Sequence, residues 1–355
     1  MSKRGLRDFD DLTDNNLTDP ANHVAIKEVI DKFSMEVTPH VLNVIKTADK
    51  NNAISAQFVP NIQELQEHPD ELTDPIGDEI NSPLPGVIHR YKDRVLFNTI
   101  QTCAVYCRFC FRRENVGPGE GGLTPSQIDD AIDYVRQHNE IWEVILSGGD
   151  PLVLSPRRLA SLIERLSAIQ HVGIIRLHTR VPCVAPEKIT PDVISALKKH
   201  TAVYIVIHTN HADEITPEVS EKLAVLADAG IPLLSQTVLL KDINDNPDTL
   251  TALFRRLLEN RVKPYYLHHG DLAKGTGHFR TTIKKCQDIL KKMRGPVSGL
   301  CQPHYVLDLP GGHGKVPVGH QYLHELSEGS YQIDDVHGGK RIYKDATEQG
   351  DTQLI

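Results

Sequence analysis

A chain of 355 residues is long enough to bury one large core, and a formal net charge of −8 disfavours a general nucleic-acid-binding protein, because a phosphate backbone is held mainly by clustered Lys and Arg. No apolar run approaches the roughly 20 residues that span a bilayer, and the polar first residues lack a signal-peptide core. We therefore expect a cytoplasmic protein with a small substrate, bound to neither nucleic acid nor membrane. Its six cysteines favour thiols or metal ligands over disulfides.

The order of polar and apolar segments predicts three regions. Residues 1–85 are polar, with helix-like patches between proline-rich stretches, and predict an N-terminal helical extension. In residues 86–300, six apolar or β-branched runs alternate with segments of helical periodicity, which is the βαβ rhythm of a parallel sheet. Residues 301–355 form a C-terminal segment with a polar tail. The six predicted strands are RVLFNTI, EVILSGG, GIIRLHTR, AVYIVIH, IPLLSQTVLL and KPYYLHH.

Polar residues follow each predicted strand at the point where it ends. A ring of functional groups at the carboxyl ends of parallel strands is typical of a TIM-type barrel. We therefore predict an α/β fold, a partial (β/α)6 TIM-type barrel with an N-terminal helical extension and a C-terminal extension. A doubly wound open sheet is the main alternative.

Three cysteines lie close together in the sequence Cys103-Ala-Val-Tyr-Cys107-Arg-Phe-Cys110, directly after the first predicted strand. This spacing lets three thiolates converge on one [4Fe–4S] cluster, which normally takes four cysteines, so that one iron stays open to another ligand. Zinc is a rival, but structural zinc takes a fourth nearby Cys or His. Three buried core thiols are the remaining alternative.

The triplet, with Phe109 before its last cysteine, resembles the radical S-adenosylmethionine superfamily. Over about residues 80–320 the match narrows to the lysine 2,3-aminomutase family. The resemblance implies that the cysteines hold the cluster, whose open iron binds S-adenosylmethionine. It implies further S-adenosylmethionine contacts from Ser147, Gly148, Gly149, Asp150 and His208. The matching segments are HRYKDRVLFNTIQTCAVYCRFCFRRENVG, LSGGDPL, HTNHADEIT, QTVLLKDIND, YYLHHGDLAKGTGHFRT and LDLPGGHGKVPVG.

A second cofactor is implied by Lys315, which follows the glycine-rich sequence PGGHG. Backbone with few side chains lets a planar ligand approach an amine. By the family resemblance Lys315 carries pyridoxal 5′-phosphate, and without that resemblance a surface lysine would be the alternative. The same match assigns Arg90, Tyr91 and Arg94 to this cofactor, whose phosphate needs cationic and hydroxyl donors. It also assigns Gln236 to the cofactor cavity.

The resemblance assigns three residues to an amino-acid substrate. Arg112 matches the residue that binds the substrate carboxylate, and Arg113 is the nearest alternative, which could equally be a surface charge. Asp271 and Asp308 match the two carboxylates that bind the side-chain ammonium of lysine. Two anions at one site favour a cation between them. Each aspartate alone could instead be a helix cap or a turn residue.

These matches imply an isomerase, an L-lysine 2,3-aminomutase that makes β-lysine through a 5′-deoxyadenosyl radical. The implied partners are lysine and an external one-electron reductase of the flavodoxin or ferredoxin type. Shorter members of the family supply β-lysine to elongation factor P, and the length of this chain resembles theirs. Its LDLPGGHGK segment is more similar to that of the free-lysine enzymes, so both uses of the product stay open. The clostridial type has a structural zinc on cysteines of its C-terminal tail. Because this chain has none after Cys301, we predict no zinc and leave a homo-oligomer open.

Two other functions remain as alternatives. One is an aminomutase for arginine or glutamate, although an aspartate pair argues against glutamate. The other is an iron–sulfur or redox-sensing module without catalysis, which would need neither Lys315 nor Arg112.

Overall fold

The computed structural model describes residues 5–47, 53–117 and 121–346. Its α-helices are α1 (Phe9–Asp14), α2 (His23–Lys32), α3 (Pro39–Thr47), α4 (Ser55–Phe58), α5 (Pro125–Gln137), α6 (Pro156–Ser167), α7 (Val181–Val184), α8 (Pro191–Leu197), α9 (Pro217–Asp228), α10 (Pro247–Glu259) and α11 (Ile283–Met293). Its strands are β1 (Val87–Tyr91), β2 (Arg94–Ile100), β3 (Glu143–Gly148), β4 (Ile174–Thr179), β5 (Ala202–His208), β6 (Leu233–Val238), β7 (Val262–His268), β8 (His304–Leu309), β9 (Gly314–Pro317), β10 (Leu323–Ser327), β11 (Ser330–Asp334) and β12 (Lys340–Lys344).

Strands β1 to β9 form one sheet in sequential order. Neighbours from β2 to β8 pair in parallel, whereas β1 pairs antiparallel with β2, and β9 pairs antiparallel with β8. A doubly wound sheet reverses its strand order at a switch point, so that alternative is wrong. The predicted partial barrel is confirmed, with its six predicted strands as β2 to β7 and one further parallel strand, β8.

The barrel helices begin at a repeated sequence signal. A Ser, Thr or Asn followed by proline begins each of α5, α6, α8, α9 and α10, and its side-chain oxygen accepts a hydrogen bond from the backbone N–H three residues later. Proline suits the first helical position because its missing N–H would have no partner there. Each helix therefore starts at a defined residue after a strand-end loop, and this fixes where the loops of the site lie.

The core lies between the strands and the helices around them. Val144 and Leu146 on β3 and Ile175 and Leu177 on β4 are all inaccessible or nearly so. Parallel strands buried on both faces read as continuous apolar runs rather than alternating ones, which explains the form of the predicted strands. No helix in the described part of the chain is long and apolar enough to cross a bilayer.

The predicted polar tail is folded over residues 323–344. Strands β10, β11 and β12 form a separate antiparallel sheet, and every residue of β10 and β12 is exposed. Because both faces of these two strands meet solvent, their sequence lacks the apolar run by which the barrel strands were predicted.

Candidate active site at the carboxyl ends of the barrel strands

One cavity of about 600 Å³ lies at the carboxyl ends of the barrel strands. Every residue that the sequence assigned to a cofactor or to the substrate lines it. The structure therefore brings together positions that are up to 225 residues apart in the chain, from Arg90 to Lys315. The predicted lining residues are Arg90, Tyr91, Arg94, Cys103, Cys107, Cys110, Arg112, Ser147, Gly148, Gly149, Asp150, His208, Gln236, Asp271, Asp308 and Lys315.

The three cysteines lie in the loop after β2. Burial is the main cause that raises the pKa of all three thiols, that of Cys107 to about 11 and that of Cys103 well above its usual range. Thiolates in such surroundings need a bound cation, which an iron–sulfur cluster supplies. The other three cysteines are buried and do not line the cavity. The donor set thus fits a cluster with three protein ligands and one open iron.

A single metal ion and an iron–sulfur cluster need different arrangements of their protein ligands. Within residues 5–47, 53–117 and 121–346, no group of three or more His, Cys, Asp or Glu side chains could hold a metal ion. Each cysteine of a [4Fe–4S] cluster binds a different iron, so its thiols need not surround one point.

Arg180, at the end of β4, is the cationic neighbour of the cysteine loop. Its Nη1 lies 3.2 Å from Cys107 Sγ, and its Nη2 donates to Glu214 at 2.7 Å and to Gln57 at 2.6 Å. Its guanidinium also lies 5.2 Å from the ring centroid of Phe109. The arginine is buried, so its charge acts on the cysteine loop with little screening by water.

The glycines at the end of β3 allow the cysteine loop to pack closely. A Cβ on Gly148 would lie 2.4 Å from Ile100 O, and one on Gly149 would lie 2.3 Å from Thr102 O. Gly148 also has a φ of +107°, which side chains rarely adopt. Because they have no side chains, these glycines allow the backbone that leads into Cys103 to pack against the end of β3.

The carboxylate of Asp150 is bound to protein groups. It accepts hydrogen bonds from Thr179 Oγ1 at 2.7 Å, from the backbone N–H of Arg180 at 2.7 Å, and from those of Leu152 and Val181. The side chain of Asp150 thus joins the end of β3 to the end of β4.

Three histidines of the cavity wall have a buried Nε2 with no hydrogen-bond partner. They are His178, His208 and His268, and burial lowers the pKa of each ring. A buried polar atom without a partner costs free energy unless a bound group satisfies it. These neutral rings point to a ligand in the cavity. His208 is the only one of the three that was predicted from the sequence to bind a cofactor.

Lys315 lies on β9 at the other end of the cavity. Its backbone N–H donates to Tyr91 Oη at 2.7 Å, its Nζ lies 3.2 Å from His268 Nδ1, and Nζ forms an ion pair with Asp308. Asp308 and Lys315 are direct partners in the antiparallel pair of β8 and β9, which places their side chains on one face. The amine thus lies beside a carboxylate and an imidazole ring rather than in open solvent.

Cationic donors for a phosphate line the same cavity as this amine. Arg90 Nε is buried and has no partner, and Arg94 stacks on the Tyr91 ring with 3.9 Å between its guanidinium carbon and the ring centroid. The combination of an amine, two guanidinium groups and a phenol fits the aldehyde and phosphate of pyridoxal phosphate.

The two aspartates differ in their surroundings. Burial, and then the charge of Asp308, raise the pKa of Asp271 to about 7. Burial alone would also raise the pKa of Asp308, but hydrogen bonds and charge from His268 and Lys315 hold it below its usual value. No side chain in the described ranges forms a hydrogen bond or ion pair with Asp271. Asp308 already binds one ammonium group, that of Lys315, and Asp271 can accept a second.

Arg112 and Arg113 have different roles. Arg112 lines the cavity, where its Nη1 lies 3.3 Å from Ser147 Oγ. Arg113 is buried, pairs with Glu64, and donates to Gly275 O at 3.0 Å. The alternative that Arg113 is a surface charge is wrong, because its guanidinium neutralises a buried carboxylate.

Asp78 contacts both Arg90 and Arg112 but was not predicted from the sequence. It lies in the loop before β1, where nothing in its spacing distinguishes it from neighbouring acids. His268 and Tyr266 of β7 were not predicted either, although Lys315 Nζ lies 5.5 Å from the Tyr266 ring centroid. Both residues lie at the end of a predicted strand, and this position could have marked them as site residues, as it did for others.

The partial barrel with three thiols after its first parallel strand defines a radical S-adenosylmethionine protein, and the model of the Radical SAM superfamily matches residues 97–253. An L-lysine 2,3-aminomutase of Fusobacterium nucleatum subsp. nucleatum is 40% identical over 308 residues, which are 87% of this chain and 72% of that protein. An L-lysine 2,3-aminomutase of Acetoanaerobium sticklandii is 41% identical over 304 residues, 86% of this chain and 73% of that one. The chain belongs to the lysine 2,3-aminomutase family.

A relative with another substrate in its name is nearly as similar. The glutamate 2,3-aminomutase of Clostridioides difficile is 39% identical over 298 residues, 84% of this chain and 70% of that protein. Because the identities differ so little, the substrate has to be argued from the residues of the cavity.

Proposed function

We propose that the protein is a cytoplasmic L-lysine 2,3-aminomutase that converts lysine to β-lysine. The observation that carries this proposal is the position of Asp271 and Asp308 in the same cavity as Arg112, Lys315 and the cysteine loop. A lysine has a carboxylate at one end and an ammonium group at the other. An arginine and an aspartate pair in one cavity match both ends, whereas a second carboxylate, as in glutamate, would meet two anions.

Three groups of residues would hold the cofactors. Cys103, Cys107 and Cys110 would bind a [4Fe–4S] cluster, and the end of β3 with His208 would bind S-adenosylmethionine. Lys315 would hold pyridoxal phosphate, whose remaining contacts would come from Arg90, Tyr91, Arg94 and Gln236. When bound, the cluster and S-adenosylmethionine supply a 5′-deoxyadenosyl radical, and pyridoxal phosphate supplies a conjugated ring that delocalises an unpaired electron.

The chain's own residues fix the substrate in this cavity. Arg112 binds the carboxylate through its guanidinium, and the aspartate pair binds the side-chain ammonium. Holding both ends would fix the carbon chain between them and restrict its orientation in the cavity. The neutral rings of His178 and His268 lie on the cavity wall and add no positive charge to the cavity.

The proposed partners follow from this chemistry. The cluster needs one electron from an external reductase of the flavodoxin or ferredoxin type. β-Lysine for the modification of elongation factor P is the proposed use of the product.

An anaerobic assay with S-adenosylmethionine, a reductant and separate amino acids tests the substrate. We expect β-lysine from lysine and no β-glutamate from glutamate. Formation of β-glutamate or β-arginine without β-lysine would overturn the proposed substrate, and protein with iron but no turnover of any amino acid would favour the redox module.

Borohydride reduction followed by peptide mass analysis tests the role of Lys315. The cofactor mass should appear on the peptide that contains Lys315. It should be lost in Lys315→Ala and kept in Lys292→Ala, which changes an exposed lysine. Turnover of lysine by Lys315→Ala at the wild-type rate would contradict the assignment.

A further inference from the structure

One carboxylate contacts both of the arginines that are assigned to different ligands. Asp78 Oδ2 accepts from Arg112 Nε at 3.0 Å and from Arg112 Nη2 at 2.8 Å, and Asp78 Oδ1 accepts from Arg90 Nη2 at 3.0 Å. The side chains of these arginines are 11% and 13% exposed, and that of Asp78 is 18% exposed. Charges this far from water interact strongly, and two guanidinium groups this close would repel each other without the anion between them.

Each guanidinium keeps donors that Asp78 does not use. Arg90 uses only Nη2 on Asp78 and on Ile76 O, and its buried Nε has no partner. Arg112 uses the Nε and Nη2 edge on Asp78, while Nη1 makes one long contact, 3.3 Å, with Ser147. A planar guanidinium can bind two anions through different edges. Asp78 therefore does not have to leave when a ligand anion arrives.

The loop that carries Asp78 is itself fixed in place. Asp74 accepts hydrogen bonds from the backbone N–H groups of Asp78 at 2.8 Å and Glu79 at 2.9 Å. Gly77 packs so closely on the turn before Lys315 that a Cβ there would lie 2.3 Å from the backbone nitrogen of Gly312. The carboxylate is thus held by the protein before any ligand binds.

We propose that Asp78 is a positioning residue that orients Arg90 toward the cofactor phosphate and Arg112 toward the substrate carboxylate. Asp78 couples the two binding sites, because a shift of one arginine side chain affects the other arginine through the carboxylate that both contact. The inference rests on the proposed function for the identity of the two ligands. It adds a residue that sets the affinity for both ligands through the two arginines.

The test uses Asp78→Asn, which keeps the shape of the side chain and removes its charge. We expect the dissociation constant of pyridoxal phosphate, measured by absorbance titration of protein freed of that cofactor, to rise about tenfold. We expect the KM for lysine to rise about tenfold as well, with kcat changed less than about twofold, because charge-assisted hydrogen bonds orient binding groups rather than reacting atoms. Asp78→Glu, which keeps the anion, should recover most of both affinities.

Glu79→Gln is the matched control. It removes one negative charge from the next residue, whose side chain is exposed and does not line the cavity at the strand ends, and both constants should stay at the wild-type values. Tighter binding by Asp78→Asn would mean that Asp78 competes with the ligands, and unchanged constants would mean that it orients neither arginine. Either result overturns the inference. Equal losses in Asp78→Asn and Asp78→Glu would also overturn it, by showing that only the loop structure matters.

The proposed function and this inference fail in different ways. If wild-type protein makes no β-lysine and binds no pyridoxal phosphate, the proposed function is wrong. If wild-type protein does both and Asp78→Asn equals it, only the inference is wrong.

Discussion

Asp271 and Asp308 occupy the same cavity in different charge states. Asp308 stays ionised because His268 and Lys315 lie beside it, whereas Asp271 is buried near another anion and has a pKa raised to about 7. An added ammonium group would favour the ionised form of Asp271. The site is therefore ready to bind one more cation, and its affinity for that cation depends on pH.

The pH dependence of lysine binding tests this charge state. Because the pKa of Asp271 is raised to about 7, the carboxyl is mostly protonated near pH 6 and mostly ionised near pH 8. We expect the KM for lysine to fall several-fold, about five- to tenfold, between these values as the anion forms. Steady-state kinetics across this range should show the change in wild type. In Asp271→Asn the KM should be high and nearly constant, and a variant with the wild-type profile would exclude Asp271 as the titrating group.

Single residues show where sequence reasoning succeeds and where it does not. The cysteines and Lys315 were predictable because a spacing or a family motif marks them. Asp78 has no such mark, since its function depends on two arginines that only the fold brings to it. Arg113 was ambiguous for the same reason, because its partner Glu64 is 49 residues away in the chain.

The strand-end loops are the elements on which the site is built. The loop after β3 packs against the loop after β2, where Gly149 N donates to Ile100 O at 2.5 Å and Asp150 N donates to Thr102 O at 3.1 Å. The glycine-rich end of β3 thus helps to fix the position of the cysteine loop.

Gly149→Ala tests this support at the level of the loop. The new methyl group would lie 2.3 Å from Thr102 O, so the loops must move apart and the cysteines should lose their arrangement. We expect iron content and cluster absorbance after anaerobic reconstitution to fall by at least about half, because close backbone contacts cannot yield without a shift of the chain. Gly299→Ala is the control, since a Cβ there would meet nothing within 4 Å. Equal iron in both variants would count against the role given to the packing.

The sequence predicted most elements of the barrel and missed some at its edge. Apolar runs mark β2 to β7 because both of their faces are covered. Strand β8 lies in the segment assigned to the C-terminal extension, and only its first part pairs with β7, from His304 to Val306. Its run is short and ends in Asp308 and a proline turn, so it lacks the length by which the other strands were identified. The repeated cap-and-proline signal before the helices was present in the sequence and would have set their start points.

At the scale of the whole molecule, the N-terminal extension is joined to the barrel by a buried ion network. Glu64 is inaccessible and binds Arg108 and Arg113, which flank the last cysteine of the triplet. Burial alone would raise the pKa of Glu64, but the two arginines hold it below its usual value. The stability that this ionised group contributes is present above its unfolded pKa and is lost as the pH falls through the lowered native pKa.

Glu64→Gln should destabilise the protein strongly, because it leaves two buried guanidinium groups without their anion. Removal of one partner from a buried ion network costs about 3–5 kcal/mol. Urea unfolding of the protein should show this loss in the free energy of unfolding. Glu67→Gln breaks the more exposed ion pair with Lys32 and should cost less than about 1 kcal/mol. Similar small losses in both variants would mean that the network adds little to stability.

The two edge strands of the barrel meet at the end of the cavity that contains Lys315. Strands β1 and β9 are the first and last of the sheet, and the hydrogen bond from Lys315 N to Tyr91 Oη joins them. A ligand bound by Arg90 on β1 and by Lys315 on β9 would act as a cross-link between the two ends of an incomplete cylinder. Amide hydrogen exchange in β1 and β9 should therefore slow when pyridoxal phosphate binds, while β5 in the middle of the sheet should exchange at the same rate as before. A bound cofactor would thus also hold the two edge strands of the barrel together.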